Sequence, residues 1–186
     1  MTVTRSTPAR RTGGERLTPL ELGAWREFLR VHAVLTRELD EELRRSHGLP
    51  LSSYDVLVNL ESAPGRQMRM SELADAVLLS RSGLTRLVDR MEREGLVRRE
   101  PCEDDARGLY TVLTDAGFDR LRGASGTHLR GVLEHGTGRL DDAEAHELAD
   151  LLARIADDHQ ATPARPGEGQ TLGTLGEPAR VRRTSS

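Results

Sequence analysis

The sequence contains no lysine. All 27 basic residues are arginine, set against 30 Asp and Glu, for a formal net charge of -3. GC-rich codon usage is the plainer explanation of arginine-only usage; a need for bidentate anion contacts would leave the same mark, so the absence of lysine decides nothing. The near balance of charge argues against a generic polyanion binder but leaves the distribution of charge open. A single cysteine, Cys102, rules out a disulfide within the chain and points to a reducing compartment. Aromatics make up only 3%, too few for the stacking platforms of single-strand nucleic-acid binders. The N-terminal "MTVTRSTPARRTGGER" has no apolar core and is not a secretory signal. No apolar run approaches the ~20 residues of a membrane span. A soluble, cytoplasmic protein without a membrane segment is expected. Phosphate-binding loops, nucleophile elbows, dinucleotide fingerprints and H-E-x-x-H are all missing, so no enzyme and no cofactor is expected. The six histidines are His32, His47, His128, His135, His146 and His159. None stands in a cysteine cluster. His128 and His135, seven apart, can share one helix face, which leaves a metal site open although none is expected.

What is present is organised in three parts. Residues 1–16 are Arg, Thr, Gly and Pro without periodicity and read as a flexible arm. Residues 161–186 are Pro/Gly-rich, unable to bury enough apolar area to offset ordering, and read as a disordered tail. The folded unit is therefore 17–160. Its first helix opens on a capping box, with Thr18 as cap, Pro19 behind it and Glu21 closing the box. Apolar residues then recur at helical spacing to Leu43, and Gly48 with Pro50 ends the helix. A helix this long near a terminus often needs a second chain to cover its apolar stripe. A second capping box is read at Ser52 and Asp55. "QMRM" is a possible short strand, and a helix starts at Ser71. After Gly95 two β-like runs, "LVRREP" and "LYTVLT", flank an acidic turn, a hairpin signal. Thr114 caps the next helix, whose Gly-rich continuation from 123 to 138 is poor by propensity, each Gly costing ~1 kcal/mol against Ala. Asp141 and Glu144 open the last helix, where Leu148, Leu151, Leu152 and Ile155 form one stripe.

The stretch "SRSGLTRLVDRMEREGLVRRE", residues 80–100, lies between the tight helix pair and the hairpin. At about 100° per residue, Leu84, Leu87, Val88 and Met91 share one side of a helix. Ser82, Arg86, Asp89 and Arg93 fall opposite, flanked by Thr85 and Arg90, with Arg81 in the first turn. One face packs and the other carries hydroxyls and guanidiniums. Such a helix suits the major groove, where Arg pairs with guanine and Thr touches a thymine methyl. A solvated face with ordinary charges produces a similar pattern, because Asp89, Glu92 and Glu94 lie there too. The adjoining hairpin favours DNA.

Residues 66–117, "RQMRMSELADAVLLSRSGLTRLVDRMEREGLVRREPCEDDARGLYTVLTDAG", resemble the DNA-binding lobe of the MarR (multiple antibiotic resistance regulator) family. "MSELADAVLLSRSGLTRLVDRMEREGLV" is similar to its helix-turn-helix core. "DAR", Asp105 to Arg107, stands at its D-x-R wing motif, and "LTDAG", Leu113 to Gly117, at its L-T-x-x-G exit from the wing. The resemblance implies a mainly α fold with a small β-hairpin. A winged helix-turn-helix lobe (52–113) would sit on an α-helical dimerisation domain (17–48 and 114–160). It implies a homodimer that binds a pseudo-palindromic double-stranded DNA operator and regulates transcription, as a repressor released by a small molecule. Arg81, Ser82, Thr85, Arg86, Arg90 and Arg93 on the helix, and Arg98, Arg99 and Arg107 on the wing, are the expected DNA contacts. Arg107 would enter the minor groove, with Asp105 orienting it. Arg98 and Arg99 have opposite phases on the strand, so at most one faces DNA; the alternative for them is pairing with Asp89. By position, Trp25, His32 and Tyr54 are candidates for lining a pocket for a small aromatic or phenolic ligand. Trp25 reads equally as core or interface.

Two other readings remain. A dimeric ligand-binding or interaction protein that kept the fold and lost DNA binding fits the balanced charge and the acidic wing at 103–105. A redox switch at Cys102 is opposed by Glu103, Asp104 and Asp105, which would keep its thiol protonated.

Overall fold

The computed structural model describes residues 16–102 and 105–157. The expected N-terminal arm (but for Arg16), the C-terminal tail and the wing tip at Glu103 and Asp104 lie outside them. The elements run α1 (Pro19–His47), α2 (Leu51–Ser62), β1 (Gln67–Arg69), α3 (Met70–Ala76), α4 (Arg81–Arg93), β2 (Val97–Cys102), β3 (Asp105–Leu113), α5 (Asp115–His135) and α6 (Asp142–Asp157). The protein is mainly α with one small antiparallel sheet in the order β1-β3-β2. Among the described residues, no helix is long and apolar enough to cross a membrane.

The helix ends follow local chemistry. Thr18 Oγ1 accepts from the Glu21 amide at 3.2 Å, and Glu21 Oε2 accepts from the Thr18 amide at 2.7 Å, so the box satisfies two otherwise orphaned donors. Gly48 ends α1 at φ 60, a conformation that costs glycine nothing. Asp141 and Glu144 form the same reciprocal pair before α6, at 2.9 and 3.0 Å. The expected box at Ser52 and Asp55 is not formed. Helix α2 begins earlier, with Pro50 at the cap position and no cap from a neighbouring side chain. Asp40 on α1 accepts from the Leu51 amide at 2.9 Å instead. A tertiary contact has replaced the local one.

The Gly-rich stretch is also helical without a break from 115 to 135. Its glycines bring helices together. At Gly131 an added Cβ would stand 2.5 Å from Glu42 Oε2 and 2.8 Å from Leu39 Cδ2, so the missing side chain admits α1. Packing between α1 and α5 overrides the weak propensity. Gly117 acts similarly at the head of α5, where a Cβ would collide with the Leu96 carbonyl. The same turn is capped by Thr114, whose Oγ1 accepts from the Gly117 amide at 3.0 Å. This geometry is the physical content of the "LTDAG" motif.

The core sits where α2, α3, α4 and the sheet meet the C-terminal end of α1. Leu43, Leu49, Val56, Leu57, Leu60, Leu73, Leu84, Val88, Met91 and Val97 are all essentially buried. In contrast, Leu20, Trp25, Phe28, Leu29, Val31 and Val34 on α1 are exposed, as are Leu148, Leu151, Leu152 and Ile155 on α6. At the edge of the core, the Tyr54 ring on α2 lies 4.4 Å from the His128 ring on α5. Burial raises the Tyr54 phenol above its usual range, with Asp55 adding to it, while a hydrogen bond with Ser125 opposes the rise. Burial lowers the His128 imidazole, and its buried Nδ1 has no hydrogen-bond partner among the described residues. Burial also pushes the Asp55 carboxyl up to about 6.

Two stability predictions follow from this packing. Gly117→Ala should lower unfolding free energy by roughly 1–3 kcal/mol, the usual cost of overpacking, measured by urea denaturation. A carboxyl whose folded pKa exceeds its unfolded one favours folding at low pH and loses that favour as pH rises through about 6. Asp55→Asn should therefore raise the melting temperature at pH 7.5 and converge on the parent protein as the pH falls below the ordinary carboxylate range. Equal melting temperatures at both pH values would exclude this account.

Candidate nucleic-acid interface

Helix α4 is held at its start by Ser80, whose Oγ accepts from the Gly83 amide at 3.1 Å. Its buried residues are Leu84, Leu87, Val88 and Met91, the four placed on one face by periodicity. The opposite face is solvent-exposed at Arg81, Ser82, Thr85, Arg86, Asp89 and Arg93. A tight turn delivers the helix, with Leu78 at φ 54 between α3 and α4 and its side chain 91% exposed. The left-handed backbone there is usually left to glycine.

The acids on α4 decide its electrostatics. Arg99 on β2 donates from Nη2 to Asp89 Oδ1 at 2.6 Å and from Nη1 to Glu92 Oε2 at 2.6 Å. Its backbone amide donates to Glu92 Oε1 at 3.0 Å, and Nη2 lies 3.4 Å from the Thr85 carbonyl oxygen. One guanidinium therefore engages two carboxylates, offsetting one of their two negative charges, and ties the strand to the helix. Its side chain is only 20% exposed, so it is better placed than a surface pair to contribute. Arg90 turns the other way: Nη2 donates to the buried Ser53 Oγ at 3.0 Å, and Nε lies 3.9 Å from Glu94. Arg93 donates to the Asp89 carbonyl at 3.2 Å and stays exposed. Arg81 and Arg86 have no side-chain partner among the described residues.

The expected contact residues thus divide. Arg81, Ser82, Thr85, Arg86 and Arg93 share one exposed face. Arg90 is half-buried against α2, and Arg99 is engaged by α4. Arg98 points outward and pairs with Glu100 at 2.7 Å. The opposite phases expected for Arg98 and Arg99 are what the strand displays. Asp105 and Arg107 lie at the start of β3; their side chains are outside the described residues. Beside α4, Arg69, Arg81, Thr85, Asp89, Arg99 and Leu109 line an open cleft of about 620 Å³ between the helix and the sheet. Arg69, which periodicity did not single out, joins this cleft from β1, with its guanidinium 5.7 Å from the Tyr110 ring. Its signal was the short strand "QMRM", which pairs with β3 and carries the side chain to the wing.

Trp25, His32 and Tyr54 are not brought together within one chain. Trp25 stacks on Phe28 with ring centroids 5.9 Å apart and is half-exposed. It stands 18 residues before Leu43, or about 27 Å along the helix axis from the core that holds Tyr54. His32 is exposed.

Comparison with known proteins agrees with this geometry. Residues 47–108 match the profile of the MarR family. The fold is similar to AbsC, a MarR family transcriptional regulator from Streptomyces coelicolor, at 39% identity and a TM-score of 0.73, covering 80% of this chain and 99% of that one. It is also similar to a second MarR family regulator from the same organism, solved in complex with DNA, at 35% identity and a TM-score of 0.74, covering 81% and 94%. Among curated relatives, the transcriptional regulator PecS of Dickeya dadantii is 29% identical over 128 residues, 68% of this chain and 75% of its own length. With a winged helix-turn-helix of matching order and relatives aligned over nearly their full length, this chain belongs to the MarR family of transcriptional regulators.

Proposed function

We propose that the chain is a cytoplasmic, sequence-specific regulator that binds double-stranded DNA as a homodimer. The observation that carries this reading is the charge arrangement on α4. Its acids are taken up by Arg99 and Arg90, while Arg81 and Arg86 stand free on the exposed face. Free guanidiniums near a helix N-terminus suit guanine edges and phosphates. The likeness to a relative solved on DNA supports it. Arg81, Ser82, Thr85, Arg86 and Arg93 make the groove contacts, and Arg107, oriented by Asp105, reads the minor groove from the wing. Arg99 positions the helix, and Arg90 anchors it to α2.

The dimer rests on the exposed apolar stripes of α1 and α6, which no single chain covers. Residues 17–48 and 114–160 form the dimerisation part and 52–113 the lobe. Two lobes then meet half-sites about one helical turn, ~10 bp, apart. Promoter occupancy represses transcription, and a small ligand releases it by favouring a different lobe spacing.

Two measurements test the proposal. Arg86→Ala should weaken binding to operator DNA by ~1–3 kcal/mol, roughly 5- to 150-fold, in a fluorescence anisotropy titration. Arg90→Ala should cost much less. Unchanged affinity for Arg86→Ala and Arg107→Ala alike would favour the fold as a non-DNA-binding interaction module. In sedimentation equilibrium the protein should have the mass of two chains. Leu152→Glu should weaken that dimer at least about 10-fold, because burying a leucine is worth ~1.5–3 kcal/mol.

A further inference from the structure

A second cluster of charge lies away from α4, at the C-terminal end of α5. Helix α1 passes closely there because Gly131 lacks a side chain, and the carboxylate of Glu42 occupies the space that a Cβ would need. One turn further along the same face of α5, His135 Nε2 lies 2.7 Å from Glu42 Oε1. Glu134 is its neighbour. One ligand atom each from Glu42, Glu134 and His135 all fall within 4.8 Å of one another. Glu42 and His135 are about three-quarters buried, at 24% and 27% side-chain exposure.

The electrostatics of this junction call for a cation. Two carboxylates approach one another beside the last turn of α5, the negative end of its helix dipole, where Arg139 Nε donates to the Glu134 backbone carbonyl at 3.2 Å. A third carboxylate, Glu38, lies one turn before Glu42 and interacts with His135. Arg37 takes up Glu38 at 2.7 Å. Yet in a chain with 27 arginines, none pairs with the carboxylate of Glu42 or of Glu134 among the described residues; Arg139 reaches only the Glu134 backbone. His135 lies against both carboxylates.

We propose that Glu42, Glu134 and His135 form a binding site for a divalent transition-metal ion of the zinc class, bridging α1 and α5. One imidazole with two carboxylates is a donor set that suits zinc, and three protein ligands leave a fourth position for water. Ligands 2.0–2.2 Å from a tetrahedral zinc stand roughly 3.3–3.6 Å apart, so the His135–Glu42 contact opens by under about 1 Å. His135 then binds through Nε2 as the Nδ1–H tautomer. Glu42 is already seated against Gly131, so little ordering remains for it to undergo. The inference does not depend on how the chain reads DNA.

The test is calorimetric titration of zinc chloride into the chelator-treated full-length protein, with melting temperature as a second readout. The expected result is one ion per chain and a rise in melting temperature with added zinc, as for any ligand that binds the folded state. Glu42→Gln and His135→Ala should each weaken this binding by at least about 10-fold, the scale on which even supporting residues tune metal affinity. Glu134→Gln alters an exposed side chain that cannot unfold the protein, and it should weaken binding too. No zinc binding, or binding that all three substitutions leave intact, would overturn the proposal. In the latter case the ion would sit on other histidines.

Discussion

The arrangement depends most on Arg99. A helix whose exposed side carried Asp89 and Glu92 unpaired would repel a polyanion. A wing attached to it only through β-strand pairing would be free to tilt. The fork of one guanidinium eases both problems, because two carboxylates on α4 accept from it while its backbone is fixed in β2. Partial charge compensation and orientation come from the same contacts. Planar, two-sided donation is a property of arginine that lysine does not share.

Around that joint the molecule divides into a finished part and an unfinished one. The lobe of α2, α3, α4 and the sheet closes on a core that Leu43 of α1 and Leu121 and Ala124 of α5 complete. The outer half of α1 and the whole stripe of α6 leave large apolar residues in water. Uncovered apolar surface of this extent is what the proposed homodimer, with two lobes on a two-fold DNA site, would bury. The α1–α5 contact links the two parts. Gly131 sets how near α1 comes to α5, and Glu42 and His135 meet in the gap.

Much of the interface was legible in the sequence because its signals are local and periodic. Leu84, Leu87, Val88 and Met91 repeat at helical spacing and are all buried. Thr18, Ser80, Thr114 and Asp141 cap the helices they precede, because a cap needs only the next three residues. The hairpin followed from alternation broken by an acidic turn. The box read at Ser52 and Asp55 failed because the competing acceptor, Asp40, lies 11 residues earlier on another helix. Arg90 looked like a flank of the exposed face and instead reaches Ser53, 37 residues away.

Periodicity and capping signals by themselves determined the order of elements and the sides of α4, and the motifs in residues 66–117 carried the resemblance to the family. They could do so because helix and strand periods and caps are short-range properties of the chain. Only the tertiary structure decided which charges remain free. Whether Asp89 repels or is silent depends on a strand that returns ten residues later. Whether a glycine-rich segment is a helix depends on another helix pressed against it. Both are questions of what lies across a contact, and a linear pattern carries no distance between residues that meet only on folding.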